Sequence, residues 1–119
     1  RSSAASDVYK RQEMVYMLSL DFDDNILAIN KISHGTFSAA NIDKRFVLET
    51  AFRNKARSVV LVHNHVNGIP VPSRDDLNTT KAVGDFFQGV NVHLLDHLIY
   101  TDEDIFSMAQ VKKFAPLFI

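Results

Sequence analysis

Apolar residues recur along this chain with two different periods, and the changes between them lay out its elements. Met14-Val15-Tyr16-Met17-Leu18-Ser19-Leu20 is almost continuously apolar over strand length, which predicts a largely buried strand. Asp21 to Asn25 is a cluster of acids and Asn that predicts a turn. Ile26 to Ser33 returns as a second strand, so the two make a hairpin. Gly35-Thr36 and Ser38-Ala39-Ala40 read as a loop. Asn41 is the expected N-cap of a first helix over Ile42 to Ala56. In it Ile42, Phe46, Ala51 and Phe52 fall at roughly helical spacing, while Lys44, Arg45, Arg53 and Lys55 take solvent positions. The β-branched run Ser58-Val59-Val60-Leu61-Val62 predicts a central buried strand leading directly into His63-Asn64-His65. Gly68, Pro70 and Pro72 mark a loop. A second helix is expected from Ser73 to about Gln88, with Leu77, Val83, Phe86, Phe87 and Val90 as its stripe and Gly89 to end it. Val92-His93-Leu94-Leu95 and Leu98-Ile99-Tyr100 are two further strand candidates, and Asp102-Glu103-Asp104 is a turn. The tail from Ile105 is apolar without a clear period. A hairpin, a helix, a central strand, a second helix and further strands together imply an α/β sheet with helices packed on it.

Arg1 to Gln12 stands apart: it is small, polar and charged, with no periodicity. Its Asp7-Val8-Tyr9-Lys10-Arg11-Gln12 stretch is also what a widely used transposon-end sequencing adapter encodes in one reading frame. Residues 1–12 are therefore expected to be non-native, and a single domain is expected over 13–119. The full chain has 119 residues, enough to bury a core unaided. It lacks cysteine, which removes disulfides and thiolate metal sites and leaves His, Asp and Glu as the only strong ligands. That fits a reducing compartment, and a cytoplasmic location is expected. A formal net charge of −1 gives no basic footprint for a nucleic acid backbone. No apolar run approaches the roughly 20 residues that span a bilayer, so no membrane partner is expected.

The chemistry concentrates in His63-Asn64-His65, a seven-residue loop, and Ser73-Arg74-Asp75-Asp76, the pattern H-x-H-x7-S-x2-D. Residues i and i+2 of a strand share a face, so the strand end presents two imidazoles side by side. The loop can return the chain so that Asp76, in the first turn of the next helix, offers a carboxylate to the same point. Two imidazole nitrogens and one carboxylate oxygen at about 2.0–2.2 Å make a three-ligand zinc set with one open position, the mark of a catalytic site. Each piece alone has a plainer reading. A strand histidine is more often a satisfied polar group, and Ser73 with Asp76 also spells a capping box. It is the conjunction that points to a metal. Of the remaining candidates, Asp75 reads as complementing the helix dipole and His93 as an outward strand position. His97, beside Asp96, reads either as a residue that orients a ligand or as a structural hydrogen-bond partner.

This stretch resembles the JAMM motif of the JAB/MPN metalloproteases, and most closely the RadC-type bacterial branch. The resemblance runs from Glu13 to about Met108 and includes Gly35-Thr36, His63-Asn64-His65, Gly68, Pro72-Ser73, Asp76 with Thr80, and Asp96-His97-Leu98-Ile99. One departure is that Val66-Asn67 stands where the RadC pattern usually has Pro-Ser. The resemblance implies a JAB/MPN-type, cytidine deaminase-like sandwich, a mixed sheet with flanking helices. It implies Zn2+ held by His63, His65 and Asp76, with Ser73 at the oxyanion and Glu13 as general base. Glu49 is the fallback base. The implied activity is hydrolysis of an amide or isopeptide bond in a peptide substrate. A second implication is an accessory role in DNA repair or recombination, with DNA reached only through an upstream segment or a partner. A zinc nucleobase deaminase would need H-x-E with a later P-C-x-x-C, and the chain has no Cys.

Overall fold

The computed structural model describes residues 13–34, 37–66 and 68–119, with His34 described by its backbone only. The readings made above for Arg1 to Gln12, for Gly35-Thr36 and for Asn67 lie outside the described residues. Strands β1 (Met14–Leu20) and β2 (Ile26–His34) form the expected hairpin. Its turn is organised by Asp21, whose Oδ1 accepts the backbone N–H groups of Asp23 and Asn25, both at 2.9 Å. Helix α1 (Lys44–Arg53) leads to β3 (Ser58–Asn64), and helix α2 (Arg74–Gln88) to β4 (His93–Tyr100). A short β5 (Ile105–Ser107) and two 3₁₀ turns, Met108–Gln110 and Ala115–Phe118, complete the chain. The sheet order is β2-β1-β3-β4-β5, with β3 in the middle. The β3–β4 pair is parallel and the other pairs are antiparallel. This is the mixed-sheet α/β architecture that the resemblance implies.

Both helices lie on one face. Asn54, which closes α1, donates from Nδ2 to Ser19 Oγ (3.1 Å) and Asn30 Oδ1 (2.9 Å). Thr80 of α2 meets His97 of β4. On that face Val15, Met17, Val59, Leu61 and Ile99 are fully buried, together with Val47, Ala51, Val83 and Phe87 from the helices. Tyr16, Leu18, Val60 and Val62 on the opposite face are half-buried.

Local expectations in three elements need correction. The N-cap of α1 is Asp43, whose side chain accepts from the Phe46 N–H, while Asn41 belongs to the turn before it. The helix is also shorter than Ile42 to Ala56, because Lys55 adopts a left-handed φ of 56° that no helix continues. Starting at Lys44, the helix buries Val47, Thr50 and Ala51, which leaves Phe46 and Phe52 exposed. In α2, Val90 lies past the Gly89 cap and is exposed. The two strand candidates after α2 are one strand carrying a bulge. Val59 pairs with Leu94 and Val60 with Asp96, so Leu95 is an extra residue.

Candidate metal centre

The centre is assembled where β3 ends and α2 begins. His63, the penultimate residue of β3, is fully buried on the helix-bearing face. His65 follows the strand, its N–H continuing the ladder to the Tyr100 carbonyl at 2.9 Å. The two imidazoles stand 4.7 Å apart, as spacing i, i+2 dictates. The chain then returns through Gly68, whose φ of 79° favours glycine, to Ser73. Ser73 caps α2 in a reciprocal box: its Oγ accepts the Asp76 N–H at 3.1 Å, and Asp76 Oδ2 accepts the Ser73 N–H at 2.8 Å. Capping thus fixes the Asp76 carboxylate against the histidines. Oδ2 lies 2.8 Å from His65 Nε2, and Oδ1 lies 3.8 Å from His63 Nε2.

Glu13 arrives from the other side. The Met14 N–H donates to Asn64 Oδ1 at 2.7 Å, which ties the start of β1 to the end of β3. Glu13 Oε1 is then 3.5 Å from His63 Nε2. Glu13, His63 and His65 each offer a ligand atom, all within 4.8 Å of one another, and could hold a metal ion. The residue between the two histidines therefore positions the acid, a function the spacing alone does not reveal.

Two features of the donors are compatible with a cation. His63 Nε2 is buried and has no hydrogen-bond partner among the described residues. At His65, Nδ1 lies 2.8 Å from the Ile69 carbonyl oxygen, which can only accept, so Nδ1 carries the proton. The other ring nitrogen, Nε2, lies 2.8 Å from the Asp76 carboxylate. Two acceptors meet at that distance only with a proton or a metal ion between them.

Behind His63 runs a buried chain. His63 Nδ1 is 3.2 Å from His97 Nε2, and His97 Nδ1 is 2.7 Å from Thr80 Oγ1. Phe37 packs on both rings, at 5.4 and 4.8 Å between centroids. Burial pushes His63 below its ordinary value near 6.5, against the pull of Asp76, and neighbouring His65 adds to the lowering. His97 is held well below that value, first by burial and then by His63 and His65. Both rings are neutral at pH 7, the form that ligates metals.

Ser73, the N-cap of α2, is exposed and bonded to Asp76 at the edge of the cluster, while the remaining candidates lie away from it: Asp75 is exposed in the first turn of α2. Glu49 is paired with Arg45 at 2.8 Å on the solvent side of α1, away from this cluster. His93 is exposed on β4 and bonds the Phe118 carbonyl.

A mixed five-stranded sheet with a His/His/carboxylate cluster at the end of its central strand defines a JAB-type α/β domain. A family model described as the RadC-like JAB domain matches residues 2–113, and the chain belongs to that family. It is 37% identical over 101 residues to a UPF0758 protein of Paracidovorax citrulli, covering 85% of this chain and 43% of that protein. It is 34% identical over 104 residues to a UPF0758 protein of Alkaliphilus oremlandii, with 87% and 45% covered. For one of Clostridium perfringens the identity is 31% over 100 residues, with 84% and 44% covered. The chain spans less than half the length of these relatives. No helix among the described residues is long and apolar enough to cross a membrane.

Proposed function

We propose that this domain is a zinc-dependent hydrolase of the metallopeptidase type, acting on an amide or isopeptide bond of a peptide substrate. In this reading His63, His65 and Asp76 would hold the zinc as a three-ligand set of the kind that catalytic sites use. The observation that carries it is His63 Nε2, buried without a hydrogen-bond partner among the described residues, beside His65 Nε2 and the Asp76 carboxylate. Tetrahedral donors at about 2.0–2.2 Å from an ion sit roughly 3.3–3.6 Å from one another. The 2.8 and 3.8 Å separations bracket that range, so small side-chain shifts suffice. A bound zinc ion would supply Lewis acidity and lower the pKa of water to about 7.

The chain's own groups supply the rest. Glu13, with its side chain only 20% exposed and 3.5 Å from His63, would take the proton of the attacking water and deliver it to the departing amine. Ser73 Oγ accepts the Asp76 N–H, which leaves its hydroxyl proton to donate to the developing oxyanion. Mass spectrometry of purified protein supplied with zinc should find about one ion per chain, and His63→Ala or Asp76→Ala should abolish loading. Glu13→Gln should keep the zinc and lower chelator-sensitive cleavage of an isopeptide-linked peptide by about 10²–10⁴-fold. A wild-type protein that takes up no zinc overturns the reading.

A further inference from the structure

The bulge in β4 decides which way His97 points. Strand residues alternate faces, so with Leu94 buried toward the helices an unbroken strand would place Asp96 inward and His97 outward. The extra residue, Leu95, inverts that parity. His97 thereby pairs with Leu61, turns to the helix-bearing face and is fully buried between His63 and Thr80. The bulge is also pinned. The Asp96 carboxylate accepts the His97 N–H at 2.7 Å, the Ala109 N–H at 2.9 Å and the Ser107 hydroxyl, three partners spread over β4, β5 and the following 3₁₀ turn. Bulges of this kind re-aim side chains next to functional sites.

We infer that His97, aimed by this bulge and anchored on Thr80, is a positioning residue that holds the His63 ring with Nε2 toward the metal position and its proton on Nδ1. This rests on the zinc reading above. A ring that gives its Nε2 lone pair to a cation carries its proton on Nδ1, and the group in reach of that proton is His97 Nε2. His97 accepts there only as the tautomer protonated on Nδ1, and that N–H has the Thr80 hydroxyl as its acceptor at 2.7 Å. Phe37 against both rings keeps them from rotating away.

The test is a zinc titration in competition with a chromogenic chelator, using the whole chain and comparing wild type, His97→Phe and His97→Gln. The thermal midpoints of the zinc-free proteins check folding. Phe keeps the ring volume and removes the acceptor, so zinc affinity should fall about 10–100-fold. Gln places a carboxamide oxygen near the position of Nε2 and should recover part of that loss even if the Phe variant folds poorly. The d–d absorption of the cobalt-substituted protein should shift in the Phe variant and return toward wild type with Gln. Wild-type zinc affinity in both variants would overturn the inference while leaving the metal reading intact. Failure of the wild-type protein to bind zinc would overturn both.

Discussion

At the scale of single residues, Asp76 carries two duties that its chemistry allows to be separated. Its Oδ2 accepts the Ser73 N–H and so helps to cap α2, and the same carboxylate faces His65 and His63. An Asn at this position can still accept the N–H, but it is neutral and ligates zinc poorly. Asp76→Asn should therefore leave the urea stability of the zinc-free protein within about 1 kcal/mol of wild type. Its zinc affinity should drop by more than about 100-fold, beyond what losing a ligand's hydrogen-bond partner costs. Asp76→Ala loses both duties, so comparing the two variants by urea titration and chelator competition separates them. Equal loss of stability in Asn and Ala would show that the carboxylate charge, not the cap geometry, holds the helix start.

At the scale of elements, the start of α2 joins stability to chemistry in the same way. Ser73→Ala removes the hydroxyl that accepts the Asp76 N–H and should destabilise the domain by about 0.5–2 kcal/mol, read from urea midpoints. Ser73→Gly should cost only a few tenths, because glycine is a tolerated N-cap. If Ser73 also serves the oxyanion, both variants should lose cleavage rate alike although only one loses stability. This helix start was legible in the sequence because a capping box is local, with partners three residues apart. The hairpin and β3 were legible for the same reason, since short apolar runs between turn clusters need no distant partner to be read. The Asn41 cap and the long first helix were misread because the left-handed Lys55 and the competing Asp43 cap give no periodic signal. In β4 the gap between the two strand candidates, at Asp96-His97, was the trace of the bulge, and its meaning depends on the register with β3. The tail beyond Ile105 had no period because its order comes from elsewhere: Asp96, eleven and thirteen residues before, accepts from Ser107 and Ala109. Within the site, His63, His65 and Asp76 could be grouped from spacing, whereas Asn64 acting on Met14 could not, being fifty positions from its partner.

At the scale of the whole molecule, folding places two neutral imidazoles, His63 and His97, inside one core beside Phe37. Both rings have folded-state pKa values below the ordinary 6.5, because burial disfavours their charged forms. Once the pH falls below about 6.5, the unfolded chain therefore binds protons that the folded chain does not. The stability these neutral rings permit is complete above 6.5 and is lost as the pH falls toward their folded-state values. Each ring contributes a slope of up to about 1.4 kcal/mol per pH unit. Urea titrations in chelator between pH 7.5 and 5 should show stability falling steeply below 6.5. His97→Gln, with one of the two titrating rings gone, should show a slope reduced by roughly half. Saturating zinc should lift the entire curve by RT ln(1 + [Zn]/Kd), because the ion binds the folded state, and the lift should shrink toward pH 5 as protons compete for the ligands. A flat profile in the zinc-free protein would mean that His63 and His97 are not both held neutral in the folded core.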